Sequence, residues 1–254
     1  MNDVVGAREY LGSRVYGGMP VLYSNVFYAI QRIGSERSAN VVLPLVFEAT
    51  TPGSVIDVGC GAGTWLAAAR RFGITRTVGV EGPWVGSVGL ASPDIEMHHA
   101  DLEQSLPQLG RYDLALCLEV AEHLSPARAE GLVADLVGLS DIVLFSAAIH
   151  WQGGIGHLNE QPQSYWASLF ARHGYGAIDA VRPQVWRDGR VSYWYRQNML
   201  LYIKGAPSLP AATLDRRHPA RFVNPWCVVE IFDRMRGLTA PRPPRSASAS
   251  SISA

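Results

Sequence analysis

The chain has 254 residues and a mass of 27.7 kDa, with 48% hydrophobic and only 17% charged residues, a composition that excludes wholesale disorder and suits one α/β domain with a single core. Its 22 basic residues balance 22 acidic ones, which removes the global positive field that counterion-driven nucleic-acid binding exploits. Cys60, Cys117 and Cys227 are far apart and lack paired metal-ligand spacing, so neither a disulfide framework nor a zinc site is expected.

Residues 1–53 carry two helical stretches, 20–33 and 36–49, expected to form an N-terminal cap or lid. From residue 54 short β-branched runs alternate with helix-like stretches, the pattern of a parallel sheet with crossover helices. Leu114 to Leu118 and Ile142 to Phe145 are unbroken apolar runs, as strands buried on both faces require. Gly73 is placed to close the helix begun near Gly63, and Ser125-Pro126 offers an N-cap followed by proline in the first helical turn. Past residue 150 the texture becomes WQGGIGHLNEQ, a glycine-rich polar loop, and then a helical QSYWASLFARHGY. A β-like GAIDAV, a turn-rich RPQVWRDGRVS and WYRQNMLLYI, which ends in an apolar strand, suggest an antiparallel hairpin closing the sheet. The expected organisation is a cap over 1–53, an α/β core over 54–204, an extension over 205–236 and a disordered Pro/Ser/Ala/Arg tail over 237–254. The opening residues lack a basic start followed by an apolar core, and no apolar run nears the roughly 20 residues that span a bilayer, so a cytoplasmic protein without a membrane anchor is expected.

The segment Val55-Ile56-Asp57-Val58-Gly59-Cys60-Gly61-Ala62-Gly63-Thr64 is the most informative. A strand runs into a glycine-rich turn that opens a helix, so the backbone can approach a ligand at the carboxyl end of the sheet. Dinucleotide folds space their glycines G-x-G-x-x-G around a pyrophosphate, whereas the spacing here is G-x-G-x-G. Asp57, two residues before the first glycine, would repel a pyrophosphate and attract an ammonium group. A ligand with an amino-acid moiety and no phosphate follows.

On these residues the chain resembles the class I S-adenosylmethionine-dependent methyltransferases, from about Val55 through Phe145 and more loosely to Ile203. The resemblance implies a Rossmann-like, mostly parallel sheet with an antiparallel C-terminal strand or hairpin. It also implies S-adenosylmethionine as cofactor and S-adenosylhomocysteine as product. Gly59, Cys60, Gly61, Gly63 and Thr64 would form the cofactor loop, with Cys60 a small filler. Glu81, beside Gly82 after the second strand, would grip the ribose hydroxyls. Asp101-Leu102 would meet the adenine, although an aspartate there equally suits a turn or N-cap. Leu118-Glu119-Val120 and Glu122-His123 match an L-E-V-x-E-H-L pattern at the fourth strand; Glu119 could act through its backbone or its side chain, and His123 could touch the cofactor or orient its loop.

Methyl transfer from a sulfonium is an in-line displacement whose leaving group needs no acid, so alignment and water exclusion dominate. A hydroxyl acceptor would benefit from a base titrating near neutrality, for which histidine is suited. His157, in GGIGHLNEQ after the fifth strand, is the candidate base; this loop is similar to GG-x-GH-x-NEQ loops of bacterial methyltransferases of this general type. His157 could alternatively do no more than bond Glu160 and stiffen the loop, and two ligands, His157 and Glu160, do not make a metal site. Tyr23, Tyr28, His150, Trp151, Asn159, Glu160 and Tyr165 are candidate walls of a small, partly apolar acceptor pocket, with His150 standing where the loop pattern would have proline. The reading is an enzyme that methylates a small molecule, most simply at oxygen, in natural-product or sugar biosynthesis, possessing no nucleic-acid or membrane partner and able to form a homodimer. Two alternatives stay open: a cofactor-assisted cyclisation or rearrangement without methylation, and a non-catalytic cofactor-binding regulatory subunit.

Overall fold

The computed structural model describes residues 25–83, 89–154 and 156–216, with side chains from residue 32 onward in the first segment. The cap residues before 25, the extension from 217 and the tail at 237–254 lie outside the described residues. The elements in chain order are α1 (Asn25–Thr50), β1 (Ser54–Val58), α2 (Thr64–Arg71), β2 (Arg76–Glu81), β3 (Glu96–His99) and β4 (Leu114–Leu118). After β4 come α3 (Ala129–Leu139), β5 (Ile142–Ser146), α4 (Gln163–Ala171), β6 (Tyr175–Ile178), α5 (Arg182–Val185), α6 (Tyr193–Asn198), β7 (Leu200–Lys204) and α7 (Ala211–Leu214).

The seven strands form one sheet in the order β3-β2-β1-β4-β5-β7-β6. Strands β1 to β5 pair in parallel, and β7 lies antiparallel to both β5 and β6. Period-two alternation sends side chains to two cores. Ile56, Val58, Ala115, Cys117, Val143, Phe145, Leu200 and Tyr202 pack under α3, α4 and α7. Val55, Leu114, Leu116, Leu144 and Leu201 pack under α1, α2, α5 and α6. The result is a three-layer doubly wound sheet, as the alternating pattern and the two apolar runs implied. Among the described residues, no helix is long and apolar enough to cross a membrane.

Three local expectations need correction. The two N-terminal helical stretches are one helix, α1, which continues through Gly34 and Pro44. Gly34 does not break the helix; a Cβ there would meet Ser192 Oγ at 3.0 Å, so its small size serves packing. Pro44 forfeits one backbone bond, and the burial of Ala39, Val42, Leu43 and Val46 around it holds the helix together. The antiparallel pair β6 and β7 is not joined by a tight turn, because RPQV and YWYRQN are the helices α5 and α6. Arg182 explains α5: its guanidinium is completely buried, pairs with both oxygens of Asp179 and donates to the carbonyls of Gln197, Thr213 and Leu214. Finally, Ser125 does precede a helical turn, Pro126–Arg128, but its hydroxyl donates to Glu103 rather than capping it.

Candidate active site

In the strand order, β2 lies to one side of β1 and β4 to the other, so the chain reverses direction between β1 and β4 and leaves a crevice at their carboxyl ends. The glycine loop enters this crevice. Gly59, Gly61 and Gly63 have φ of 77°, 53° and 74°, values that only glycine adopts without strain. A Cβ on Gly59 would lie 2.3 Å from Val120 Cγ2, and one on Gly63 would lie 2.8 Å from Ile95 Cδ1. By contrast a Cβ on Gly61 would meet nothing within 4 Å. The outer two glycines are demanded by neighbouring side chains, whereas the middle one faces open space above the loop. Thr64 and Cys60 are buried beside it, and the Cys60 thiol lies 3.9 Å from Met97 Sδ.

Asp57 sits in β1 between Gly79 of β2 and Leu116 of β4, only 3% exposed. Burial, and secondarily the charge of Glu81, raise its carboxyl to about 7. Glu81 ends β2 with its carboxylate already engaged: Gly61 N–H donates to Oε2 at 2.8 Å and Gly82 N–H to Oε1 at 2.9 Å. Burial also raises the Glu81 carboxyl, against the pull of those two amides and of His99. Asp101 is exposed and its Oδ1 accepts from Glu103 N–H at 2.9 Å, so one of its oxygens closes a turn. The side chains of Leu102, Leu118 and Val120 face the cores, which leaves only their backbone for a ligand.

The carboxyl ends of β4 and β5 carry a second cluster. Glu119 follows β4 with φ of 57°, a strained conformation for a non-glycine residue. Its carboxylate accepts from Asn198 Nδ2 at 3.1 Å and Gln152 Nε2 at 3.2 Å. The next turn, Ala121–His123, buries Glu122 and half-buries His123. His123 is lowered to about 4, chiefly by burial and then by the neighbouring His157. The loop after β5 folds over this turn: Leu158 and Asn159 both donate backbone N–H to the Glu122 carbonyl, at 2.7 and 3.0 Å. His157 thereby stacks edge-on against His123 with ring centroids 4.9 Å apart. Its Nδ1 lies 2.8 Å from Glu160 Oε1, and Glu160 is itself fixed by the N–H groups of Trp151 and Gly153.

Several predicted acceptor residues do not converge on this cluster. His150 lines a separate shallow cleft with Ile149, Pro162, Gln163, Gln197 and Asp215. Tyr165 packs on Trp166 at the edge of the core, and Trp151 projects outward at 79% exposure. Asn159 is buried beneath the loop, accepting from Gln161 Nε2 at 3.0 Å. Tyr23 lies outside the described residues, as does the side chain of Tyr28.

A family model described as a methyltransferase domain matches residues 28–130, from α1 through the glycine loop and the turn after β4. The match covers less than half of the chain, and over those residues the chain is similar to methyltransferase domains. A sugar N-methyltransferase from Streptoalloteichus sp. is similar in fold, with a TM-score of 0.55 at 16% identity over 77% of this chain and 98% of that one. Magnesium protoporphyrin IX methyltransferase from Synechocystis, solved with bound S-adenosylmethionine, has a TM-score of 0.52 at 22% identity over 80% of this chain and 98% of that one. Among curated proteins, magnesium-protoporphyrin O-methyltransferase from Synechocystis sp. is 26% identical over 155 residues, 56% of this chain and 66% of that protein.

The sequence pattern held no sign of Gln152 and Asn198, which grip Glu119, and gave Glu122 no place in the site. Gln152 and Asn198 reach Glu119 from 33 and 79 residues away, so local spacing carries no trace of them. Glu122 was visible within the L-E-V-x-E-H-L pattern, and its position beside a histidine at a strand end was the available signal.

Proposed function

We propose that the protein transfers the methyl group of S-adenosylmethionine to a hydroxyl oxygen of a small molecule, in natural-product or sugar biosynthesis. The observation that carries this reading is the pairing of an open, left-handed glycine loop flanked by two buried acids, Asp57 and Glu81, with a histidine-bearing loop at the next strand ends. Ionised Asp57 would attract the cofactor's ammonium group. Glu81 keeps lone pairs for the ribose hydroxyls even while it holds two backbone amides, because each carboxylate oxygen accepts twice. The exposed Asp101 would reach the adenine amino group.

At the acceptor side, Glu160 takes Nδ1–H of His157, which leaves Nε2 as the basic nitrogen. His157 Nε2 would accept the hydroxyl proton while the oxygen attacks the methyl carbon in line with the departing sulfur. The curated O-methyltransferase relative supports oxygen as the accepting atom. The test is incubation of the purified protein with S-adenosylmethionine and a panel of hydroxylated small molecules. A product heavier by one methyl group, with one S-adenosylhomocysteine formed per turnover, is the expected result; cofactor consumed without mass gain would overturn the reading in favour of a non-methylating reaction.

A further inference from the structure

We propose that Glu122, His123 and His157 bind a divalent transition-metal ion of the imidazole-preferring kind, such as Zn²⁺ or Co²⁺, beside the methyl-transfer site. One donor atom from each residue lies within 4.8 Å of the other two. Ligand distances of about 2.0–2.2 Å are reached from such a span by modest side-chain rotation. Two imidazoles and one carboxylate form a donor set that suits zinc-like ions with an open coordination position.

The second observation is the state of Glu122. Its side chain is sealed from solvent at 1% residue exposure, and neither carboxylate oxygen has a hydrogen bond of good geometry, although the backbone of Glu122 and Ala148 and the Glu119 carboxyl approach it more loosely. A buried carboxylate so poorly partnered is unfavourable, and a cation relieves the penalty. Burial, followed by the charge of Glu119, holds this carboxyl well above its usual range, against weaker pulls from the backbone of Glu122 itself and of Ala148.

The surroundings are those that metal-binding histidines require. Glu160 occupies Nδ1 of His157, which fixes the ring and directs Nε2 as the ligand atom, the carboxylate–histidine arrangement common behind metal ligands. His123 is hydrogen-bonded to the backbone of Gly156. The two backbone bonds from Leu158 and Asn159 to the Glu122 carbonyl lock the loop that carries His157 onto the turn that carries the other two ligands. The site is therefore braced on both sides.

The catalytic consequence rests on the methyl-transfer reading above. A cation there would polarise the acceptor oxygen, so that the hydroxyl proton passes to water as the O–CH₃ bond forms and the S–CH₃ bond breaks; His157 then serves as a ligand in place of a base. Binding itself is independent of that reading. The experiment uses the full chain freed of metal by chelation and titrated with CoCl₂ or ZnCl₂ alone, followed by calorimetry and by the visible spectrum of cobalt. One equivalent should bind, and Glu122→Gln and His157→Asn should each weaken binding at least 100-fold while S-adenosylmethionine affinity stays within about twofold. His157→Asn lies on a surface loop and guards against a folding defect in the buried variant. Equal metal affinity in wild type and both variants, or no binding by wild type, overturns the site. Metal binding with no methylated product from any acceptor would leave the site standing and overturn the reaction, whereas methylation unaffected by chelator in a protein that binds no metal would do the reverse.

Discussion

The Gly61 amide and the Glu81 carboxylate are bonded at 2.8 Å, which ties the crest of the glycine loop to the end of the adjacent strand. The acid expected to hold the cofactor also shapes the loop that receives it. Glu81→Gln would place an amide donor against at least one of the two backbone N–H groups, at a penalty of about 1–3 kcal/mol. S-adenosylmethionine affinity by calorimetry should fall 10-fold or more while the far-ultraviolet spectrum is unchanged. Unaltered affinity would remove Glu81 from the site.

Asp57 gives the site a pH dependence. Its carboxyl, raised to about 7 in the folded protein from an unfolded value near 3.8, keeps extra protons in the folded state between those limits. The stability of the cofactor-free protein should therefore fall as pH rises through that window, and Asp57→Asn should flatten the trend. The ammonium group of the cofactor favours the ionised acid, so affinity should rise from pH 6 to pH 8 with proton release near neutrality. Calorimetry in two buffers of different ionisation heat measures that release, and a pH-independent affinity would count against the assignment.

Two glycines of the loop should fail in different ways. Gly59→Ala adds a Cβ that would lie 2.3 Å from Val120 in a left-handed backbone, so a loss of about 2 kcal/mol or more in urea unfolding is expected. Gly61→Ala meets no neighbour and incurs only the backbone term, about 1–2 kcal/mol, but its methyl projects into the open space over the loop. Its folded form should survive with cofactor affinity reduced at least 10-fold. If Gly61→Ala binds the cofactor like wild type, the ligand does not lie over this loop.

Arg182 is the structural counterpart. Arg182→Met would strand the Asp179 carboxylate and three carbonyls that the guanidinium now satisfies, an expected loss of about 3–5 kcal/mol. Chemical denaturation checks the magnitude. A variant as stable as wild type would mean that water replaces the guanidinium without penalty.

Local signals were legible wherever one residue type meets one local demand. The apolar runs Leu114 to Leu118 and Ile142 to Phe145 lie in strands because a doubly covered sheet favours apolar side chains there, and Gly73, with φ of 95°, ends α2 as its position implied. The glycine loop and its acids were readable for the same reason. Long-range demands were not. Two helical stretches were drawn on either side of Gly34, yet they are one helix, and the small size of Gly34 is set by Ser192 across the fold. RPQV reads as a turn, yet a fully buried Arg182 organises it as a helix. Glu122 acquires its meaning only when Leu158 and Asn159 close over it.

The placement of β7 between β5 and β6 bears on how the chain is made. During synthesis the strands through Ser146 emerge first, but the outer hydrogen-bonding edge of β5 finds its permanent neighbour only when residues 200–204 leave the ribosome. Until then an apolar strand presents an unpaired rim, so a nascent or prematurely terminated chain ending before Leu200 carries a template for sticking to its own copies.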